Sequence, residues 1–311
     1  MNPDTSHFAL NNTDFYSAAD KNRKMTRRLF VILLLLLAGM GFLLGWQNAA
    51  DPMAGAVGAL IAVIVGLIWM WIALKQGSKL VMKINGAREL QAGEEPRLRN
   101  VVEEMAIAAG VSAPRIYIME TDSMNAFATG MTPDHAAVGI TRGLLEKLDR
   151  DELQSVIAHE MGHILNNDIR YATVVGVVVG MITIMSEILR RTFFFRGAGR
   201  SRGRSNGGLA LIVVIASILA TVAAYLVQMA ISREREYLAD ATSVRLTRNP
   251  QGLIRALTKL TTQNVPFEEA SEATQHLFIV NPFKNFGRQS SALFATHPSL
   301  DQRIERLKNL G

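Results

Sequence analysis

The chain has 311 residues, 49% of them hydrophobic and only 19% charged, with 33 basic against 27 acidic side chains and a formal net charge of +6. It contains no cysteine, which excludes disulfides, thiolate metal sites and cysteine nucleophiles and leaves His, Asp and Glu to hold any metal. The composition fits apolar segments alternating with a soluble part rather than a wholly soluble enzyme, in one large domain or two smaller ones. Residues 1–28 form a polar tail that ends in Lys21, Arg23, Lys24, Arg27 and Arg28. Residues 29–46 then carry no charge, are too long for most signal-peptide cores and lack a small-residue cleavage site, so they read as a retained membrane span. After Asp51-Pro52 a second uncharged run, 53–74, ends before Lys75, Lys79, Lys83 and Arg88, and Trp46, Trp69 and Trp71 suit the membrane interfaces. Basic residues flank the outer ends of this pair and the connecting loop has none. The positive-inside rule therefore puts the N-terminus and everything from Lys75 onward in the cytoplasm. In this layout the net positive charge meets anionic lipid, and no nucleic acid is expected as a partner.

From Glu94 the texture is that of a soluble domain. Pro96 opens a helix whose Leu98, Val101, Val102, Met105 and Ala109 share one face. Residues 115–119, 123–130 and 136–141 read as strands around the turn-rich Thr132-Pro133-Asp134-His135. A short helix over 142–148 follows. The prediction is a small mixed sheet packed on helices. An extended peptide can add to an exposed sheet edge through main-chain hydrogen bonds, and the candidate edge is 136–141, with Ala136, Val138 and Ile140. Asn125 is a further candidate contact with substrate.

The next helix carries the chemistry. Asp149 followed by Glu152 reads as a capping box, and Leu153, Val156, Ile157, Met161 and Ile164 form an apolar stripe at helical spacing. His159-Glu160-Met161-Gly162-His163 lies on this helix, where positions four apart stack on one face, so both imidazoles can reach one cation. Zinc takes neutral imidazole nitrogens at roughly 2.0–2.1 Å and, in catalytic sites, keeps a position open for water. Glu160 falls within the apolar stripe, where an ionised carboxylate is costly unless it is paired or near a metal. It is placed to act as general base toward that water.

Residues 172–189 and 209–231 are again strongly apolar, giving four apolar helices in all. Between them lies a Gly- and Arg-rich stretch with Arg190, Arg191, Arg196, Arg200, Arg202 and Arg204. If both segments cross, these arginines end up outside, against the rule that orders the first pair. Four crossings are the working expectation, and a hairpin that only dips into the membrane is the alternative. The remainder, 232–311, is soluble in character. A catalytic zinc needs a third protein ligand, and every later Asp and Glu is formally a candidate. Glu236 leads, at the end of the fourth apolar segment, with Asp240 one turn on and on the same face, so that one carboxylate can bind metal while the other accepts a histidine ring N–H. Asn166-Asn167-Asp168 reads as the end of the motif helix, without a catalytic role, and His276 as structural.

These residues together resemble the HtpX-like membrane zinc metalloproteases, relatives of the CAAX-prenyl endopeptidases. The resemblance rests on His159-Glu160-Met161-Gly162-His163, on Glu236-Tyr237-Leu238-Ala239-Asp240 and on Thr296-His297-Pro298-Ser299-Leu300-Asp301-Gln302-Arg303. Residues 123–130 and 276–282 add to it, and it spans the whole chain. It implies an α+β zincin-type catalytic domain, mostly helical with a small mixed sheet, combined with the four apolar helices. Carried over, it implies one zinc held by His159, His163 and Glu236, with Glu160 activating water. Asp240 then sits behind the ligands, bridging toward Arg303, and His297 approaches the substrate carbonyl, a role that fits a donor at a helix entrance before Pro298. It further implies peptide and protein substrates, a bacterial cytoplasmic (inner) membrane location and turnover of misfolded or damaged membrane-associated proteins. Two other readings stay open: a processing protease for one membrane or lipidated peptide, and a scaffold with a vestigial metal site. The intact Glu160 argues against the last.

Overall fold

A computed structural model describes residues 12–49, 51–176, 180, 187, 233–263, 265–267, 270–282 and 298–309. The chain opens with two long antiparallel helices, α1 (Asn12–Ala49) and α2 (Pro52–Ile84). Asp51 makes the reversal: its side chain caps α2 by accepting from the Met53 N–H at 3.0 Å, and Pro52 supplies a helical φ at the first position. The helices touch through bare backbone. A Cβ on Gly41 would lie 2.4 Å from the Gly58 carbonyl oxygen, and one on Gly45 2.1 Å from that of Ala54. Small residues permit such an approach, as they do between helices in lipid. Large apolar side chains face outward instead, Leu35, Leu60 and Trp71 being 68%, 61% and 62% exposed.

Among the described residues one helical stretch is long and apolar enough to cross a membrane, Pro52–Ile72, and only 17% of its most apolar window is buried. The apolar part of α1, Phe30–Trp46, is a shorter segment. The later apolar segments expected over 172–189 and 209–231, with the arginine-rich stretch between them, lie almost wholly outside the described residues.

The far end of α2 leads into the sheet. Val81 and Met82 are buried, and a Cβ on Gly139 would meet the Met82 sulfur at 3.1 Å. Strands β1 (Arg88–Glu89), β2 (Arg115–Met119), β3 (Ala126–Thr129) and β4 (Ala137–Thr141) form a mixed sheet in the order β1-β2-β4-β3, with only the β2–β4 pair parallel.

This order corrects the expected substrate edge. Val138 and Ile140 pair with Ile116 and Ile118 of β2 on one side and with Ala128 and Ala126 of β3 on the other. Ala136, Val138 and Ile140 are buried in the sheet interior. The physical reason is visible in the run Ala136-Ala137-Val138-Gly139-Ile140, which has no polar alternation and so marks a strand covered on both faces. The edge next to the motif helix is β3. Asn125 does not face a peptide groove either. It is fully buried, its amide donates to the Val280 carbonyl at 2.8 Å and accepts the Val280 N–H at 3.3 Å, and so it clamps residues 279–280 beside β3.

Helices cover the sheet: α3 (Pro96–Ala109), α4 (Arg142–Lys147), α5 (Arg150–Leu165), α6 (Arg233–Thr247), α7 (Pro250–Thr262) and α8 (Leu300–Lys308). The α3 face expected from periodicity buries Leu98, Val101, Val102 and Met105. Central to the domain is α5, nearly all of it enclosed, started by the expected capping box. Asp149 accepts the Glu152 N–H at 2.9 Å, and Glu152 accepts that of Asp149 at 2.8 Å. Its apolar residues join β2–β4, α3 and α7 in one continuous core. A second cluster joins Phe127 edge-on to Phe278, 4.8 Å between centroids, and ties the sheet to α2. The structure is mostly helical with a small mixed sheet.

Candidate active site

Three donors from two helices converge. His159 and His163, one turn apart on α5, bring their Nε2 atoms to 3.2 Å from each other. Glu236 of α6 places Oε2 at 3.7 Å from His159 Nε2 and Oε1 at 3.6 Å from His163 Nε2. Ligands at about 2.05 Å around a tetrahedral ion lie roughly 3.3 Å apart, so the triangle already has nearly the dimensions of one face of a zinc site. With neutral imidazoles and a carboxylate, this donor set fits zinc. The three residues form a cluster able to hold a metal ion.

Gly162 makes the convergence possible. A Cβ there would lie 3.0 Å from Ala239 Cα and 3.2 Å from Thr242 Cβ, so α6 reaches α5 only because position 162 has no side chain.

The outer nitrogen of each imidazole is also held. His159 Nδ1 lies 3.0 Å from Asp240 Oδ1, and Arg303, fully buried on α8, clamps that carboxylate through Nε at 2.9 Å and Nη2 at 2.6 Å. Arg303 Nη1 reaches Glu236 Oε2 at 3.3 Å, so one guanidinium neutralises two buried acids. Burial would raise the Asp240 pKa, but Arg303 and the bond to His159 outweigh it and hold the group below the usual carboxylate range. His163 Nδ1 lies 3.2 Å from Asp168 Oδ2. Asp168 is in turn 4.0 Å from Arg235, whose guanidinium sits 4.7 Å above the Tyr171 ring.

The two histidines are pushed in opposite directions. Burial, then the Arg303 charge, lowers His159 to about 4 and keeps it neutral. Burial opposes protonation of His163 as well, but the bond to Asp168 and the Glu236 charge outweigh it and raise that ring to about 9.

Glu160 points to the same centre and is 1% exposed. One end of its carboxylate accepts the main-chain N–H of Ala128 on β3, while Oε2 is buried without a hydrogen-bond partner among the described residues. Such an orphaned oxygen costs on the order of 1–3 kcal/mol unless something arrives to use it. Burial first, and Glu236 further, push this acid up to about 7 against the opposing pull of His163.

A family profile described as Peptidase family M48 matches residues 92–310, which include the metal cluster, Glu160, Asp240 and Arg303. The chain belongs to peptidase family M48. This M48 chain is 43% identical over 294 residues to a protein named Protease HtpX homolog from Streptococcus gordonii, covering 93% of the chain and 97% of that relative. A relative of the same name from Thermoanaerobacter pseudethanolicus is 42% identical over 300 residues, 95% of the chain and 97% of the relative. The crystal structure of S. mikatae Ste24p superposes with a TM-score of 0.48 at 20% identity, over 86% of the chain and 61% of the length of Ste24p. The M48 chain is a metalloprotease.

Among the residues expected at the site, His159, Glu160, His163, Glu236, Asp240 and Arg303 are together, whereas Asn125, Ala136, Val138 and Ile140 are built into the sheet away from solvent. His297 lies outside the described residues. Its neighbourhood differs from expectation: Ser299 caps α8 through a capping box with Gln302, so Pro298 precedes the cap rather than starting the first turn.

Two contributors were not foreseen. Asn166 ends α5, Asn167 takes the left-handed conformation at φ 55°, and after this two-residue turn Asp168 begins a further helical stretch with its carboxylate on His163. The signal was a polar Asn-Asn-Asp run containing a residue type that tolerates that conformation. The second, the Ala128 N–H, has no side-chain signal at all. His276, read as structural, is buried with Nε2 2.9 Å from the Ala172 carbonyl oxygen.

Proposed function

We propose that this M48 metalloprotease is a zinc-dependent endopeptidase held in the bacterial cytoplasmic membrane, cutting peptide bonds on the cytoplasmic side. The observation that carries the reading is the buried Glu160 Oε2, without a partner among the described residues, beside three donors spaced for one zinc ion. His159, His163 and Glu236 would hold the zinc, which when bound would supply Lewis acidity to a scissile carbonyl and lower the pKa of water. Glu160 takes the proton of the attacking water and delivers it to the departing amine. A pKa near 7 suits a group that must do both. Asp240 and Asp168 hold the outer nitrogens of His159 and His163, and Arg303 bridges Asp240 and Glu236 and keeps the Asp240 carboxyl below its usual range. His297 is the donor assigned to the oxyanion on the family resemblance.

The substrate backbone is assigned to the outer edge of β3. Ala126 turns its carbonyl away from β4 and accepts the Ile279 N–H at 2.9 Å. The Ala128 N–H is held by Glu160, so the group this edge offers a substrate is the Ala128 carbonyl, which faces the same way. Beside it a small cleft lined by Ala128, Ile169, Ala172, Leu277 and Arg235 opens next to His163. The membrane assignment rests on the outward apolar faces of α1 and α2, which no soluble surface tolerates as a continuous patch. Misfolded or damaged membrane-associated proteins are the substrates this placement favours.

The test is Glu160→Gln in the purified full chain. Casein-type cleavage is expected to fall by at least about 10²-fold with zinc content unchanged. Equal activity in the variant rejects the mechanism.

A further inference from the structure

We propose that the cleft between Lys75 and Arg115, where α2 leaves its apolar stretch, binds the phosphate of an anionic phospholipid headgroup, an inference that rests on the membrane reading above. The cleft is about 430 Å³, within the size range of small-ligand sites, and lies between α2 and the membrane-proximal end of the sheet. Its walls include Lys75, Gly77 and Ser78 of α2, Arg115 at the start of β2, and Asp134 and His135 of the turn before β4.

Three observations converge. First, Lys75 and Arg115 have no ion pair among the described residues, whereas Arg88 and Arg142 further along the domain are each paired with acids. Two cations facing one opening, neither in an ion pair among the described residues, are a phosphate site in chemical outline. Second, the opening sits at the foot of exposed hydrocarbon-facing side chains: Ile68 and Trp71, 55% and 62% exposed, precede Lys75 on the same helix. Acyl chains lying along that face put a headgroup at the level of Lys75. A free phosphate has no such anchor, and the cations alone hold it weakly. Third, Ser78 adds a hydroxyl to the wall of the cleft.

Asp134, which accepts the Ser112 hydroxyl at 3.2 Å, is the one acid in the lining. It opposes the headgroup, and so its removal should strengthen binding. The sign of that change separates this site from a merely apolar collar of lipid.

The experiment uses the full chain reconstituted in phosphatidylcholine vesicles containing a minor fraction of phosphatidylglycerol. It is then extracted in mild detergent, and retained lipids are counted by native mass spectrometry. Wild type should retain phosphatidylglycerol over phosphatidylcholine. Lys75→Gln and Arg115→Gln should each reduce that preference about fivefold, the effect of one cation at an anionic surface. Asp134→Asn should raise it. Lys83→Gln, about 12 Å further along α2, should leave it unchanged. Lys75 is on an exposed helix surface, so its variant separates the effect from misfolding.

An equal loss in Lys83→Gln, displacement by millimolar inorganic phosphate, or no preference in wild type overturns the proposal. A chain that floats with neither lipid overturns the membrane reading itself, and the headgroup site with it.

Discussion

Replacing Gly162 by Ala tests whether the contact between α5 and α6 sets the metal geometry. On helix propensity alone the change stabilises α5, by about 1 kcal/mol. The structure predicts a loss nonetheless. The added Cβ would lie 3.0 Å from Ala239 Cα, 3.2 Å from Thr242 Cβ and 3.3 Å from Ala239 Cβ. Such contacts are tighter than carbon atoms ordinarily make, so α6 must give by a few tenths of an ångström. Glu236 rides on α6 one turn before Ala239 and moves with it, while both histidines stay on α5. A zinc site tolerates errors of only about 0.2 Å in its ligand distances. Overpacking of this kind also costs on the order of 1–3 kcal/mol, which offsets the propensity gain. Zinc affinity, measured by competition against a chelator of known strength, should fall about tenfold or more while circular dichroism stays that of a folded protein. An affinity within twofold of wild type would refute the argument that this glycine brings the third ligand within reach.

Asp168→Asn and Asp168→Ala should weaken zinc binding by about 10- to 100-fold through loss of the tautomer lock on His163, with the cleavage rate of the zinc-saturated enzyme reduced less than in Glu160→Gln. Chelator competition with parallel kinetics on both variants checks this, and unchanged affinity removes Asp168 from the site. Asp149→Ala should destabilise the chain by about 0.5–2 kcal/mol in chemical denaturation at pH 7, through loss of the α5 cap. The Asp149 pKa is lowered, chiefly by the Glu152 N–H, so the ionised cap stabilises the fold above the ordinary carboxylate pKa and that contribution is lost as pH falls through the depressed value. The gap between wild type and variant should accordingly be constant from pH 7 to 5 and close in acid. A gap that grows on acidification has the wrong sign.

Much of the site could be read in the sequence because its parts are local. Two histidines four apart, a base between them, and a Glu236–Asp240 pair with the same spacing are each short-range helical facts, and Asp149 with Glu152 announced the helix that carries the first three. The apolar face of α3 was legible for the same reason. Strand order was not. Residues 136–141 lacked polar alternation, which signals burial on both faces, and that clue was outweighed by proximity to the motif. The partner of Asn125 is Val280, 155 residues away, and no local pattern encodes that pairing. Asp168 was missed because its role depends on the turn at Asn166-Asn167 rather than on regular helical spacing. The Ala128 N–H was beyond reach because a main-chain donor leaves no trace in side-chain identity. Arg303 shows the same limit from the other side. Only the resemblance tied it to Asp240, and the structure shows the guanidinium wholly buried between two acids from another helix.

The central claim is that one ion is shared by two imidazoles of α5 and one carboxylate of α6. Zinc-edge X-ray absorption on the purified full chain, with metal content measured alongside, tests it most directly. The account predicts one zinc per chain with two imidazole nitrogens and oxygen ligands at about 2.0–2.2 Å in wild type, and loss of the ion in Glu236→Ala. A wild-type spectrum without imidazole scattering, or full zinc occupancy in Glu236→Ala, would contradict it.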